Sequence, residues 1–316
     1  VALMFARSRV GSRWWDDARF LKSAGSADVI VINGEGTCHH GRAPGEHLLR
    51  VVDHPVAKEK PVVLINALYQ ENPAEWSRYL EKFALISARD SWSAAELSEA
   101  SGRHVSYIPD LSMSEGFFPQ ADSSKRDLLT IGESVLPRTG HDLITLSHRH
   151  PEAIFLPVIN TLKEPKPKYP FILRGARTVY TKLHREMFRL RRKNSYFCQD
   201  EHEFSEYISR SYLHVSGRFH AICFCVAAKT PFCAISSNAW KIEALIKDLG
   251  IAKWRVIKTS EIEDILRMPD QAVFTAEERE NIKAALERAR TGTAQMFDAI
   301  ARVARAGARA EVSIRN

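Results

Sequence analysis

Arg218 and His220 flank Phe219 in Val215-Ser216-Gly217-Arg218-Phe219-His220, where an apolar strand-like run gives way to a helical pattern. Lys241 follows one strand–helix unit later, in Asn238-Ala239-Trp240-Lys241-Ile242, again at the start of a helix. Helix N-termini carry backbone N–H groups without intrahelical partners and a partial positive charge. Arg218, His220 and Lys241 placed there build a pocket for a phosphate or a carboxylate. The Phe219 helix start adds its backbone donors, and Ser237 and Asn238 add a hydroxyl and an amide. Such a pocket suits a small anionic donor or a sugar nucleotide. The structural alternative is an Arg bonded to a carbonyl, a satisfied core His and a solvated Lys.

A second group of residues sits at other strand ends. The apolar run 27–33 is followed by Asn33-Gly34-Glu35-Gly36-Thr37-Cys38-His39-His40-Gly41. The pattern predicts a strand stopped at Gly34-Glu35-Gly36 by a tight loop whose glycines let backbone approach a ligand. Gly34, Glu35, Gly36 and Thr37 form this loop, and Glu35, His39 and His40 are its acid–base candidates. The loop is neither a Walker loop nor a dinucleotide fingerprint. A metal is not expected, because the adjacent His39 and His40 lack a third ligand. Ser87-Ala88-Arg89-Asp90-Ser91 and Pro109-Asp110 end two more strands. Arg89, Asp90 and Asp110 therefore fall at equivalent strand ends, where open α/β sheets bind ligands. Arg89 and Asp90 also fit a plain structural ion pair, and Ser91 fits a helix cap.

Strand-like runs at 27–33, 61–66, 84–88 and 105–108 alternate with helical patterns at 44–56, 73–83 and 91–100. A polar, irregular stretch at 113–126 reads as a linker. Alternation restarts with strands at 128–131, 153–158, 195–198, 212–215 and 231–235, and helices at 201–209, 219–228, 240–249 and 260–268. The chain ends in one or two long helices from Thr275 to about residue 309. This order predicts the α/β class with parallel sheets and right-handed crossovers. A length of 316 residues suits two domains. Their expected limits are 1–122, 123–272 with a basic insert at 163–193, and a C-terminal helical segment at 273–316 packing back on them.

No apolar run reaches the length of a membrane span, and no secretory leader is apparent. The five cysteines fit no zinc spacing and read as reduced thiols, three of them in apolar runs. The net charge of +7 is concentrated: Lys163 to Lys193 holds eleven Lys or Arg and two acids. Val179, Leu183, Met187 and Leu190 recur there at helical spacing. The segment reads either as a surface helix docked by its apolar stripe or as a basic amphipathic helix on an anionic membrane. Nucleic-acid binding is not expected, since no recognised nucleic-acid motif accompanies the charge.

The Gly-rich segment, Arg89-Asp90-Ser91, Pro109-Asp110, Gly217-Arg218-Phe219-His220, Pro-Phe-Cys-Ala-Ile-Ser at 231–236 and Lys241-Ile-Glu-Ala-Leu-Ile-Lys occur in one order. Together they resemble the polysaccharide pyruvyl transferase family over roughly 28–249. The resemblance implies a GT-B-like fold of two Rossmann-like domains facing a cleft. It implies transfer of the pyruvyl skeleton of phosphoenolpyruvate to a saccharide as a ketal, with no redox cofactor or metal. The family's Arg-x-His pair maps to Arg218 and His220, its Lys to Lys241, and its first-half acid to Asp90 or Asp110. The implied acceptor is a cell-surface glycan or its lipid-linked precursor, reached from the cytoplasm at the inner face of the plasma membrane. Glu35, the His39-His40 pair and the basic insert depart from the family pattern. They keep open a glycosyltransferase using a nucleotide-activated sugar, such as a CMP-linked acidic sugar. A non-catalytic binding module built on 163–193 is the remaining reading.

Overall fold

The structure, a computed structural model, describes residues 15–58, 60–114, 126–158, 170–191, 194–198 and 200–314. Most of the expected linker and the ends of the basic insert lie outside the described residues. In chain order the elements are α1 (Ala18–Gly25), β1 (Ile30–His39), α2 (Ala43–Leu49), β2 (Val62–Gln70), α3 (Ser77–Leu80), β3 (Leu85–Ala88), α4 (Ser91–Ser101) and β4 (Ser106–Tyr107). There follow β5 (Leu128–Ser134), α5 (Pro137–Arg149), β6 (Ala153–Phe155), α6 (Phe171–Arg191), α7 (Glu201–Arg210), β7 (Ser211–Gly217), α8 (Phe219–Ala227), β8 (Phe232–Ile235) and α9 (Lys241–Leu249). The chain closes with β9 (Val256–Ile257), α10 (Ile262–Arg267) and α11 (Ala276–Ile314).

Contacts divide the chain into two units. Unit one holds residues 1–115, 239–249 and 283–316, and unit two holds 116–238 and 250–282. The segment 239–249, grouped by sequence with the second half, thus clusters with the first.

The sheet of unit one runs β1-β2-β3-β4, all parallel. Successive side chains of a strand point to opposite faces, and this sheet is apolar on both. Ile30, Ile32, Val62 and Leu64 join Leu48, Leu80 and Leu97 on one side. Val31, Val63 and Ile65 meet Met296 and Ile300 of α11 on the other. A strand covered on both faces reads as an unbroken apolar run, and all nine residues of β2 are buried. Unit two has the order β6-β5-β7-β8-β9, again parallel throughout. Leu129, Ile131, Leu213, Val215, Cys233 and Ile257 form its core with α5 and α10.

Four expectations need correction. β1 does not stop at Gly34 but continues to His39, with a register shift between Glu35 and Cys38. The physical reason is close strand approach: a Cβ on Gly34 would lie 2.8 Å from Ala67 Cβ. Glycine therefore lets β1 stay against β2, and the irregularity is absorbed by positive φ at Glu35 (42°) and Asn66 (52°). At α4 the cap is Asp90, not Ser91. Residues 195–198 form no strand; Ser195 makes only an isolated parallel bridge to Phe155. The helix whose apolar spacing is read from Val179 onward begins earlier, at Phe171.

Arg255 anchors the loop before β9. It is fully buried, and its guanidinium forks onto Glu278 at 2.8 and 2.7 Å while donating to Ala272 O at 2.8 Å. Burial of Glu278 works against its ionised form, yet these donors hold its carboxyl down at about 2.

Candidate functional site

In unit two, β5 and β7 converge at their C-terminal ends through glycine. A Cβ on Gly132 would fall 2.5 Å from Ser216 Oγ, and one on Gly217 would fall 2.7 Å from Ser134 Oγ. Gly217 hands the chain to Arg218, the N-cap of α8, in an extended conformation. The Arg218 N–H donates to Ser216 Oγ at 3.1 Å. Its guanidinium Nε lies 3.2 Å from Glu133 Oε1, and each of these side chains is 18 % exposed. The partner is thus a carboxylate on the neighbouring strand rather than a carbonyl. Sequence reasoning missed Glu133 because it ended β5 at residue 131, whereas β5 runs to Ser134. The strand-end rule applied to Arg89 and Asp110 would have found it.

His220 is half-buried and stands edge-on to Phe219, ring centroids 5.6 Å apart. The Phe219 ring is buried, so what that residue offers at the helix start is its backbone N–H. After β8, on the same sheet edge, Ser237 Oγ donates to Asn238 Oδ1 at 3.2 Å. Unit two therefore brings together Arg218, Glu133, His220 and the first turn of α8. A guanidinium, an imidazole and oriented N–H groups at one strand–helix junction can bind an anion and deliver a proton.

Unit one carries a second cationic group. Lys241 opens α9, which is fixed to the sheet and to α4 by its neighbours. Trp240 N donates to Gln70 Oε1 at 3.0 Å, and Ser91 N donates to Asp248 Oδ2 at 2.8 Å. The Trp92 and Trp240 rings meet edge to face at 5.5 Å. Lys241 is buried as a result, and its Nζ lies 3.8 Å from where a Gly36 Cβ would be. Arg89 Nη2 lies 3.4 Å from the same point. Lys241 thus joins Arg89 over the Gly36 backbone.

His39 is buried beside them, and its imidazole is held down at about 4. Burial is the main cause, followed by the positive charges of Arg42, His40, Lys241 and Arg89. His39 is accordingly neutral at neutral pH. Thr37 is half-buried, and its carbonyl lies 3.0 Å from the position of a Gly45 Cβ, where α2 packs on β1.

The three carboxylates expected here have different surroundings. Asp90 caps α4: Oδ1 accepts from Ser93 N at 2.7 Å and Oδ2 from Ser93 Oγ at 2.8 Å. Burial pushes its carboxyl up from the ordinary value. Asp110 Oδ1 accepts from Ser112 N at 3.0 Å and Ser112 Oγ at 2.6 Å. Its Oδ2 lies 3.6 Å from Arg89 Nη1, with both side chains shielded from water. Arg89 therefore pairs with Asp110 rather than Asp90. Glu35 is exposed, and Asn33 Nδ2 donates to its Oε1 at 3.2 Å. Among the described residues no group of three His, Cys, Asp or Glu could hold a metal ion.

The architecture is α/β with two all-parallel sheets, the GT-B-like class. The UDP-GlcNAc 2-epimerase of Neisseria meningitidis, a solved structure, is similar at TM-score 0.51 and 10% identity, over 88% of this chain and 81% of that one. The sucrose-phosphate synthase of Thermosynechococcus elongatus gives TM-score 0.48 at 15% identity, over 86% of this chain and 73% of that one. The glycotransferase of kitacinnamycin gives TM-score 0.48 at 10% identity, over 93% and 84%. At such identities the first likeness speaks for the fold alone. No curated protein matches the sequence. The family model of polysaccharide pyruvyl transferases matches residues 5–238. The chain belongs to that family and is a transferase.

Proposed function

We propose that the protein transfers the pyruvyl group of phosphoenolpyruvate to a saccharide acceptor of a cell-surface glycan, forming a pyruvate ketal. The observation that carries this reading is the Arg218 junction, in a chain that belongs to the family over residues 5–238. Arg218 and the α8 N–H groups take the phosphate and carboxylate of the donor, and Ser237 and Asn238 add polar contacts. Glu133 orients the Arg218 fork. His220 delivers a proton to the donor's methylene carbon, and the C2 centre becomes cationic. A sugar hydroxyl adds to C2 and gives its proton to a base. Phosphate then leaves with its bridging oxygen, a second hydroxyl of the same sugar adds, and its proton leaves with the phosphate. Donor plus diol thereby gives ketal plus inorganic phosphate.

For the base, the surroundings favour Glu35. Asp90 is spent on a helix cap and Asp110 on Ser112 and Arg89, whereas the Glu35 carboxylate is open to solvent. His39, neutral beside two cations, suits a hydrogen-bonding role toward the acceptor. Lys241 and Arg89 supply a second cationic pair for an anionic group of the substrates. The reaction as written needs no redox cofactor.

The test is ligand-induced stabilisation of the wild type and of Arg218→Ala. A ligand that binds only the folded state raises the melting temperature by mass action. Stabilisation by phosphoenolpyruvate, lost in Arg218→Ala, is the expected result. Stabilisation by a UDP-, GDP-, CMP- or dTDP-nucleotide and not by phosphoenolpyruvate would overturn it in favour of glycosyl transfer.

A further inference from the structure

One long helix of unit two keeps its apolar residues in water. On α6 the large apolar side chains Phe171, Ile172, Val179, Leu183 and Met187 are exposed by between 49% (Met187) and 82% (Phe171 and Ile172). Exposed large apolar residues elsewhere among the described residues are scattered singly, which is ordinary for a soluble surface. At about 100° per residue, Ile172, Val179, Leu183 and Met187 project within a sector of about 80°. Arg177 and Lys182 flank the stripe on its two sides, and Arg174 lies opposite it. Arg174 lies 6.0 Å over the Phe171 ring and Arg177 lies 5.7 Å over the Tyr180 ring. From Phe171 to Arg191 the sequence carries six Lys or Arg and a single acid, Glu186.

We propose that α6 lies flat on an anionic lipid surface, independently of the transferase reading. Its stripe would enter the boundary between headgroups and acyl chains, the flanking Arg177 and Lys182 would meet lipid phosphates, and Arg174 would add to the long-range attraction. Charge complementarity selects this occupant. A second copy of the helix would bring its basic residues against their own kind, which repels. Nucleic acid would meet the cations and leave the apolar stripe in water. No helix of the described residues is long and apolar enough to cross a membrane, so the mode is adsorption and not insertion.

The experiment is co-sedimentation of the full chain with phosphatidylcholine vesicles, with and without phosphatidylglycerol. Two variants accompany the wild type: Ile172→Ser/Val179→Ser/Leu183→Ser/Met187→Ser and Arg174→Gln/Arg177→Gln/Lys182→Gln. None of these residues belongs to the site, so the melting temperature serves as the folding control and should stay at the wild-type value. The expected result is binding to anionic vesicles, weakened at least about tenfold on neutral ones and on raising salt to about 1 M. Each variant should lose at least about tenfold as well. The proposal is overturned by no sedimentation of the wild type, by equal binding to neutral vesicles, or by variants that bind as wild type. It is equally overturned by binding of polynucleotide without vesicles.

Discussion

The junction that presents Arg218 depends on the absence of one methyl group. In Gly217→Ala the new Cβ would stand 2.7 Å from Ser134 Oγ, 2.8 Å from Ser134 Cβ and 3.3 Å from Ser134 Cα. Carbon atoms ordinarily rest at about 3.5–4.0 Å, so β7 must move away from β5 at the Ser134–Gly217 register pair. Gly217 is not in the left-handed region, so alanine pays no conformational penalty there. It even gains about 0.4–1 kcal/mol by restricting the unfolded chain. Overpacking of this kind costs about 1–3 kcal/mol, leaving a net loss of up to about 2.6 kcal/mol. Because Arg218 is the next residue, donor affinity should fall at least about tenfold if the junction positions it. Ser134→Gly removes the two closest obstructing atoms, Oγ and Cβ, at a cost of about 1 kcal/mol for the Leu136 N–H acceptor lost at 3.1 Å. In that background Gly217→Ala should no longer destabilise and should keep its gain of about 0.4–1 kcal/mol, a coupling of about 1–3 kcal/mol by urea unfolding. Additive losses in the double variant would refute the steric argument. Unchanged donor affinity in Gly217→Ala would refute the positioning argument separately.

Four further outcomes follow from the geometry. His214 is fully buried with Nδ1 2.8 Å from Thr130 Oγ1, and burial holds its imidazole down at about 3. Below about pH 6.5 the unfolded chain takes up a proton that the fold refuses, so stability falls as the pH drops from there towards about 3. Between about pH 7 and about pH 4.5 this amounts to about 3 kcal/mol, and His214→Asn should show that much less acid sensitivity in urea titrations. Parallel pH dependences for the two proteins would contradict it. Arg255→Ala strands a buried carboxylate and should cost about 3–5 kcal/mol, whereas Arg255→Met/Glu278→Leu should cost far less; equal losses in urea would count against the fork. Lys241→Met removes one of the charges that depress His39, so the His39 resonance should titrate at higher pH by NMR, and an unmoved midpoint would separate the two residues. Glu133→Gln should lower donor affinity with little change in melting temperature if the carboxylate orients Arg218, and unchanged affinity in a donor titration would remove Glu133 from that role.

The parallel sheets were legible because buried strands are unbroken apolar runs, and β2, β3, β7 and β8 all stand where such runs occur. The glycine segment misled for a reason internal to that logic. Gly34 looks like a strand stop, yet it is required by the closeness of Ala67, a contact with no trace in local sequence. Arg218 and His220 were legible as a helix start, but the carboxylate partner of Arg218 lay past the expected end of its strand. Lys241 was found as a cation at a helix start and its company was not. What groups α9 with unit one is Gln70 holding Trp240 and Asp248 holding Ser91, pairs far apart in sequence. The capping role of Asp90 turned on which of two adjacent polar residues took the extended backbone conformation, and either residue type caps well.

The partition of the chain has a bearing on how the protein can be taken apart. Unit one is assembled from three separate stretches and unit two from two, so the backbone changes unit four times. No single scission can release either sheet with its full complement of helices. A nick between residues 115 and 126 would leave the leading fragment without α9 and without the α11 residues Met296 and Ile300 that cover one face of its sheet. The trailing fragment would carry those same helices with no sheet to cover. The two halves are therefore expected to survive as a nicked pair or to unravel together, and gene fragments ending at the apparent midpoint should yield insoluble product.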